Sequence, residues 1–220
     1  MNRGIFITGT DTGVGKTVGS AAFMHALRKL APACYWKPVQ TGMEQDDDTA
    51  RVRGLGGCSQ EEIIAEGVRL PRPLSPHLSA RLAGQTITLD GLIDLYCRIP
   101  DSVFKVVEGA GGALVPLADS LLMTDLMVAL DLPIVVIARS GLGTINHTLL
   151  TIEALRARRL SVGGVLMIGE PNLENRTAIA QYGNTAVLGE MPPLDPLTSS
   201  TVRDWAQSSL NLQPLLEIRP

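Results

Sequence analysis

The sequence has little net charge and no long hydrophobic run, and each absence excludes a class of protein. Its 220 residues carry 19 Lys and Arg against 22 Asp and Glu, a net charge of −3. No general positive field is therefore available to hold the phosphates of a nucleic acid. No stretch approaches the ~20 apolar residues that span a bilayer, and the apolar run Ile5–Ile7 is too short for a signal peptide. We expect a soluble protein that is not exported.

Cysteine is also scarce. Cys34, Cys58 and Cys97 lie far apart, cannot all pair, and form no CxxC spacing of the kind that binds zinc or performs redox chemistry. This usage predicts reduced thiols in the cytoplasm. Hydrophobic residues make up 45% of the chain and charged residues 19%, which is typical of a globular protein and excludes disorder along the whole chain.

Short β-branched runs alternate with longer amphipathic stretches. This pattern predicts a mainly parallel, twisted sheet with helices on both faces. The wholly apolar run Ile134–Ile137 favours strands that are buried on both faces. Prolines interrupt the pattern between Leu70 and Ala83. We expect an ordered excursion there, because helical patterning resumes at Leu78 and again at Leu89–Ile99. The predicted strands are Ile5–Thr8, Ala33–Lys37, Ser102–Val107, Pro133–Ala138, Val162–Ile168 and Ala186–Leu188, and the predicted helices are Lys16–Leu30, Leu121–Leu130, Thr144–Arg159 and Leu173–Tyr182.

A glycine-rich segment lies directly between the first strand and the first helix. It reads Gly9-Thr10-Asp11-Thr12-Gly13-Val14-Gly15-Lys16-Thr17. In a P-loop, glycines let backbone N–H groups converge on phosphate oxygens, and the start of the helix favours the anion. Lys16 would then contact the β- and γ-phosphates, and the Thr17 hydroxyl would bind Mg²⁺. The segment predicts a P-loop NTPase-like α/β fold, with residues 1–220 forming one domain.

The spacing inside this segment departs from the standard P-loop. Five residues separate Gly9 from Gly15, where the standard pattern has four, so the segment is a variant. The alternative is a glycine-rich turn in which Lys16 is an exposed lysine of the first helical turn.

Charged residues near two other strand ends complete the candidate site. Glu108 follows the strand Ser102–Val107 at the sheet edge where ligands bind in open α/β folds, and Lys37 ends the second strand at the same edge. A carboxylate there would bind Mg²⁺ and a lysine would neutralise a transferring phosphoryl group. The run Asp46–Asp48 offers further carboxylates, although such a run is usually a solvated loop. The alternatives are a capping or solvent-facing Glu108 and an exposed Lys37.

Taken in order, these segments resemble the dethiobiotin synthetase family over nearly the whole chain. Each segment is common alone, but the ordered set is specific. The segments are Gly9-Thr10-Asp11-Thr12 with Val14-Gly15-Lys16-Thr17; Lys37-Pro38-Val39 with Thr41-Gly42; Asp48; Ser75-Pro76-His77; Glu108-Gly109-Ala110-Gly111-Gly112; Ile145-Asn146-His147; and Leu188-Gly189-Glu190-Met191-Pro192.

The resemblance implies an ATP-dependent cyclo-ligase that needs Mg²⁺. Such an enzyme closes the ureido ring of dethiobiotin from 7,8-diaminopelargonic acid and CO₂, through a carbamate and a carbamic–phosphoric anhydride, and releases ADP and phosphate. The resemblance also implies a cytoplasmic homodimer with the substrate site at the subunit interface.

The resemblance assigns roles to individual residues as well. Mg²⁺ would be held by Thr17, Asp48 and Glu108, and the catalytic residues would be Lys16, Lys37 and Thr12. The implied nucleotide-binding residues are Asp11, Thr12, Gly13, Val14, Gly15, Lys16, Thr17, Val18, Glu108, Gly189, Glu190, Met191 and Pro192. The implied substrate-binding residues are Thr12, Lys37, Thr41, Gly111, Gly112, Leu142 and Asn146.

The sequence departs from the family pattern in two places. Gly13 stands where some members carry Glu. Gly169-Glu170-Pro171 stands where many members place an asparagine that reads adenine, and its loss weakens the expectation of strict ATP selectivity. Asn172 or backbone groups around Gly189–Pro192 would have to compensate. We interpret His77 and His147 as structural hydrogen-bonding residues.

Two other P-loop functions remain as alternatives. A related amide-forming ligase would need a glutamine-hydrolysing domain, for which 220 residues leave no room. A partition-type ATPase switch typically carries a second lysine early in the P-loop, where this chain has Asp11.

Overall fold

The computed structural model describes residues 3–217, which form a central sheet flanked by helices. The strands are β1 (Gly4–Gly9), β2 (Ala33–Trp36), β3 (Val39–Gln40), β4 (Ile63–Ile64), β5 (Val68–Arg69), β6 (Phe104–Gly112), β7 (Pro116–Ala118), β8 (Leu121–Leu122), β9 (Ile134–Arg139), β10 (Val162–Ile168) and β11 (Val187–Met191). The helices are α1 (Lys16–Leu27), α2 (Asp48–Leu55), α3 (Pro76–Leu82), α4 (Leu89–Cys97), α5 (Met123–Leu130), α6 (Thr144–Arg156), α7 (Leu173–Gly183), α8 (Ser199–Ser209) and α9 (Gln213–Leu216).

The central sheet has seven strands in the order β11-β10-β9-β1-β6-β2-β4. Each neighbouring pair is parallel. Strands β3 and β5 form a separate parallel pair, and β7 and β8 form an antiparallel pair. Strand β1 lies between β9 and β6, so the glycine-rich turn that follows it opens at the carboxyl edge of the sheet, where open α/β folds bind ligands. The predicted parallel α/β class is confirmed.

An apolar layer covers each face of the sheet. Because successive side chains of a strand point to opposite faces, Ile5 and Ile7 of β1 belong to one apolar cluster with Phe23 of α1, whereas Phe6 belongs to the other cluster with Leu126 of α5. Helices therefore lie on both faces, as the sequence pattern predicts. The two layers fix the position of β1 and of the turn that follows it.

Most predicted elements exist, but several boundaries were wrong. Strand β6 does not end at Val107; it continues through Glu108 to Gly112, which pairs with Gly9 of β1. Helix α6 ends at Arg156 rather than at Arg159, which has a left-handed φ of 59° and cannot continue a helix. The strand predicted at 162–168 matches β10.

Helix α2 carries no apolar periodicity and was not predicted. Helix α2 buries Val52 alone of its residues, so the hydrophobic pattern there is absent. Within the proline-rich excursion, the helical patterning expected from Leu78 belongs to α3, which begins at Pro76, since proline is well suited to the first helical position.

Within residues 3–217, no helix is both long enough and apolar enough to cross a membrane. All three cysteines carry free thiols; Cys34 and Cys58 are buried and Cys97 is exposed.

Candidate active site

The turn between β1 and α1 has the geometry of an anion cradle. Gly15 precedes α1 with a left-handed φ of 98°, and a Cβ atom there would lie 2.8 Å from Cδ1 of Ile168. Only glycine therefore fits this position without strain. The Nζ atom of Lys16 donates to the carbonyl oxygen of Asp11 at 3.0 Å. The first turn of α1 holds no acidic residue, which leaves the positive end of the helix dipole available to an anion.

Lys37 lies at the centre of a buried ion-pair network. Its Nζ atom is 2.6 Å from Oε1 of Glu108 and 2.8 Å from Oδ2 of Asp48, and it donates to the carbonyl oxygen of Gly109 at 3.2 Å. Burial alone would lower the pKa of Lys37, but the carboxylates of Glu108 and Asp48 outweigh burial and raise it. Lys37 is thus a stable buried cation, and its interpretation as an exposed lysine is wrong.

The three acids of the Asp46–Asp48 run have different partners. Asp48 begins α2, and its Oδ1 atom accepts a hydrogen bond from the Thr17 hydroxyl at 2.6 Å. Asp47 caps α2 by accepting from the backbone N–H of Ala50. Asp46 pairs with Arg51 at 2.8 Å on the surface.

The ionisation of Asp48 follows from these contacts. Burial would raise the pKa of Asp48, but the positive charge of Lys37 and the hydrogen bonds from Lys37 and Thr17 lower it. Asp48 is therefore a carboxylate that connects the P-loop helix to Lys37.

Glu108 is fully buried inside β6, so its interpretation as a solvent-facing or helix-capping acid is wrong. Its Oε2 atom accepts hydrogen bonds from the Ser20 hydroxyl at 2.6 Å and from the Tyr35 hydroxyl at 3.1 Å. Burial raises the pKa of Tyr35 well above its usual value, and the charge of Glu108 adds to the increase. Neither hydroxyl was predicted. Ser20 lies one helical turn beyond Thr17, and that spacing is the signal in the sequence that could have identified it.

Lys16 is also buried, but nearby carboxylates offset the effect of burial on its pKa less than they do for Lys37. Burial and the repulsion of Lys37 lower its pKa to about 8, although Glu108, Asp48 and Asp11 act in the opposite direction. Its amine therefore loses its proton as the pH rises past about 8, and a bound polyanion would favour the protonated form.

A cavity of about 590 Å³ opens at this edge of the sheet, a volume suited to small-molecule ligands. Gln45, Arg51 and Leu74 also line it, although the sequence did not predict them. The predicted site residues that line it are Thr12, Gly13, Gly15, Lys16, Thr17, Val18, Lys37, Thr41, Asp48, Glu108 and Gly111.

A second cavity of about 410 Å³ lies beside the first and shares Thr12 and Val115 with it. It is lined by two further predicted residues, Asp11 and Gly112, and by His147 of α6.

The remaining predicted site residues line neither cavity. Val14 is buried in the core, and Leu142 and Asn146 are exposed near the start of α6. The nucleotide-binding residues predicted at 189–192 lie at the end of β11. These residues stay predictions as ligand contacts.

The donor set of the first cavity fits Mg²⁺. Thr17 offers a hydroxyl oxygen, and Asp48 and Glu108 offer carboxylate oxygens, which are the hard ligands that Mg²⁺ prefers beside phosphate and water. No three His, Cys, Asp or Glu side chains between residues 3 and 217 converge as a metal site. The predicted set differs from such a site because its third protein ligand is a hydroxyl.

The end of β10 lacks the adenine-reading asparagine. Asn172 uses its Oδ1 atom to cap α7, where it accepts from the backbone N–H of Asn175 at 2.9 Å. Its own backbone N–H donates to Oε1 of Glu190 at 3.0 Å. The amide oxygen of Asn172 is therefore occupied, which favours the backbone around Gly189–Pro192 for contacts with a base.

His77 was predicted to make structural hydrogen bonds, and among residues 3–217 one of its ring nitrogens does not. Its Nδ1 atom is buried and has no hydrogen-bond partner within the described part of the chain.

Sequence comparison identifies relatives over almost the whole chain. The family described as an AAA domain matches residues 3–201. The ATP-dependent dethiobiotin synthetase BioD of Agrobacterium fabrum is 45% identical over 218 residues, which cover 99% of each chain. The protein of the same name from Bradyrhizobium diazoefficiens is 47% identical over 205 residues, 92% of this chain and 93% of that one.

Structural comparison finds the same fold at much lower identity. A ParA family ATPase from Chlorobium tepidum has a TM-score of 0.57 at 10% identity and covers 94% of this chain and 100% of its own. The MinC:MinD cell division protein complex of Aquifex aeolicus gives a TM-score of 0.56 at 13% identity, with 99% and 98% covered. At these identities the likeness concerns the fold alone.

Proposed function

Because the chain belongs to the dethiobiotin synthetase family, we propose a mechanism by which its buried lysines and P-loop close the ureido ring of dethiobiotin. The chain is an ATP-dependent cyclo-ligase of biotin biosynthesis. Its substrates in this proposal are 7,8-diaminopelargonic acid, CO₂ and ATP. The observation that carries the proposal is the convergence of Lys16 and Lys37 on one cavity beside the P-loop.

The proposed reaction has three balanced steps. One amine of the diamine attacks CO₂ and loses a proton, which gives a carbamate. A carbamate oxygen attacks the γ-phosphorus of ATP, and the bond to the bridging oxygen breaks as ADP leaves with the electron pair. The second amine then attacks the carbamoyl carbon of this anhydride, phosphate leaves with the carbon–oxygen electron pair, and the nitrogen loses a proton.

The protein's part in these steps is positioning and charge neutralisation. Lys16 and Lys37 would stabilise the negative charge that spreads over the transferring phosphoryl group, which needs no covalent nucleophile on the enzyme. Thr12 and Thr41 line the same cavity and would orient the carbamate. Mg²⁺ would be held by Thr17, Asp48 and Glu108, and when bound it supplies further charge neutralisation to the phosphates.

The nucleotide would lie along residues 11–18, with its base near Gly189, Glu190, Met191 and Pro192. The Oδ1 atom of Asn172 already accepts a hydrogen bond from Asn175. This supports contacts to the base from the backbone of these four residues instead. Without the amide that reads adenine, we propose that the enzyme discriminates weakly between nucleotide bases.

The diamine would extend from Thr41 and Lys37 past Gly111 and Gly112 towards the second cavity. Leu114 and Leu150 line that cavity and are exposed, and Leu142 is exposed just before α6. Exposed apolar groups that lie together mark interaction surfaces. This arrangement supports a homodimer in which Asn146 and Leu142 of one subunit contact the substrate of the other. Free thiols support a reducing compartment, the cytoplasm.

A partition-type ATPase is the other P-loop alternative, and the likeness to the ParA family ATPase concerns the fold alone. Asp11 stands where such a switch would carry lysine, and its Oδ2 atom lies 3.7 Å from Arg139. This acid argues against the switch.

The decisive experiment supplies purified protein with diamine, bicarbonate, Mg²⁺ and each nucleotide in turn and detects dethiobiotin by mass spectrometry. We expect product with ATP, phosphate release that depends on the diamine, and neither with Lys16→Met. Rapid ATP hydrolysis at a rate that does not depend on the diamine would favour the partition-type alternative.

A further inference from the structure

The two carboxylate oxygens of Glu108 have separate sets of partners. Oε1 lies 2.6 Å from Nζ of Lys37. Oε2 accepts from the Ser20 hydroxyl at 2.6 Å and the Tyr35 hydroxyl at 3.1 Å. All four side chains belong to residues that are buried. One oxygen is thus held by neutral donors and the other faces a cation.

Local structure brings the two hydroxyls to the same oxygen. Ser20 follows Thr17 by one turn on α1, so both side chains lie on one face of the helix. Tyr35 pairs in register with Val106 of the neighbouring strand β6, and Val106 and Glu108 point to the same face of the sheet. The P-loop helix and strand β2 therefore meet at Glu108.

These contacts fix the terminal side-chain torsion of Glu108. The terminal torsion of a glutamate has no sharp preference, so a buried carboxylate takes its orientation from its donors. A hydroxyl that donates to a carboxylate forms one of the stronger hydrogen bonds in proteins. With Oε2 held by two hydroxyls, Oε1 is the oxygen that faces Lys37 and remains for the Mg²⁺ of the proposed function.

We propose that Ser20 and Tyr35 are positioning residues, which set the orientation of Glu108 and thereby hold the ammonium group of Lys37 at the cavity. The inference rests on the proposed role of Lys37 in phosphoryl transfer. Neither Ser20 nor Tyr35 lines the cavity, so neither contacts the nucleotide. Their loss lets the carboxylate rotate and draws Lys37 away from Asp48, while the phosphate cradle stays intact.

The test uses Ser20→Ala and Tyr35→Phe, each of which removes one hydroxyl with little change in shape. Tyr96→Phe is the matched control, because the Tyr96 hydroxyl is buried but has no hydrogen-bond partner among residues 3–217. For each purified variant, kcat and KM for the diamine, nucleotide affinity without Mg²⁺, and a crystal structure are determined.

We expect kcat to fall on the order of tenfold in Ser20→Ala and in Tyr35→Phe, since a hydrogen bond to a charged group is worth about that factor or more. Nucleotide affinity should stay within about twofold of the unmodified protein, and Tyr96→Phe should retain kcat. The crystal structures should show a rotated Glu108 carboxylate and a displaced Lys37 ammonium group.

An unchanged distance between the Lys37 ammonium group and the Asp48 carboxylate in both variants would overturn the proposal, even if kcat fell. Should Ser20→Ala fail to fold, Tyr35→Phe decides alone. If the unmodified protein makes no dethiobiotin, the proposed function fails, yet the crystal structures still test the positioning of Lys37.

Discussion

The ammonium group of Lys37 and the carboxylate of Asp48 lie 2.8 Å apart, although separate elements carry them. Lys37 follows strand β2, whereas Asp48 begins helix α2. The other oxygen of Asp48 accepts from Thr17 in the first turn of α1. One carboxylate therefore ties the start of the P-loop helix to the buried lysine, and the position of α2 becomes a requirement of the site.

Replacing this carboxylate should disable the enzyme, while replacing its neighbour should not. We expect Asp48→Asn to lower kcat by about 100-fold or more, because the charge that faces Lys37 is lost. Asp47→Asn should stay within about twofold, since asparagine caps a helix as well as aspartate does. Dethiobiotin formation under saturating substrates measures both. Equal losses in the two variants would show that the wrong acid was assigned.

Nucleotide binding should take up a proton above pH 8. In the free protein the pKa of Lys16 is lowered to about 8 by burial and by Lys37, and a bound triphosphate raises it by opposite charge. Affinity without Mg²⁺ should thus be highest below pH 8 and weaken by about tenfold per pH unit above it, as the amine must regain its proton. Calorimetry at pH 9 in two buffers of different ionisation enthalpy counts the protons.

The control for this linkage is Lys16→Met, which should bind weakly and show no such pH slope. An absence of proton uptake by the unmodified protein at pH 9 would contradict the assignment of Lys16 to the phosphates.

Two glycines of the P-loop should differ in their tolerance of a methyl group. Both have left-handed φ values, 69° for Gly13 and 98° for Gly15, but only at Gly15 would a Cβ atom meet a neighbour, at 2.8 Å from Ile168. We expect Gly13→Ala to lose about 1–2 kcal/mol of unfolding free energy from backbone strain. Gly15→Ala should lose about 1–3 kcal/mol more from the clash and should abolish nucleotide binding. Urea unfolding and a nucleotide titration measure the two effects, and similar stabilities for both variants would contradict this account.

Charge placed beside the second cavity should separate the subunits of the proposed dimer. Leu150 on α6 and Leu30 beyond α1 are similarly exposed, at 56% and 58%, but only Leu150 lines the cavity. We expect Leu150→Asp to sediment as a monomer and to raise KM for the diamine by about tenfold, since a carboxylate is strongly disfavoured in an apolar interface. Leu30→Asp should behave like the unmodified protein. Dimers of unchanged affinity in Leu150→Asp would place the interface elsewhere.

The sequence was most informative where glycine chemistry and apolar periodicity agree. The P-loop segment, the strand before it and the start of α1 at Lys16 were all predicted, because left-handed glycines and a buried helix both leave marks in the sequence. Strand β10 was predicted with its observed bounds because its sequence is a nearly continuous apolar run. Such signals depend only on neighbours in the chain.

Contacts between distant elements left weaker signals. Helix α2 buries little besides Val52, so no periodicity revealed that Asp48 begins a helix; Asp48 was selected from its run by family resemblance. The strand was predicted to end at Val107, whereas pairing with β1 extends β6 through Glu108 to Gly112. The hydrogen bonds of Ser20 and Tyr35 to Glu108 depend on the packing of α1 and β2 against β6, which single-chain patterns do not contain.

Thr12 and Val115 line both cavities, and this shared lining also bears on the design of inhibitors. A compound with an anionic group in the first cavity, beside Lys16 and Lys37, and a short apolar arm in the second cavity would extend past these two residues. Thr12 belongs to the P-loop. A substitution of Thr12 that excludes such a compound would therefore also disturb nucleotide binding, so a resistant enzyme should turn over more slowly.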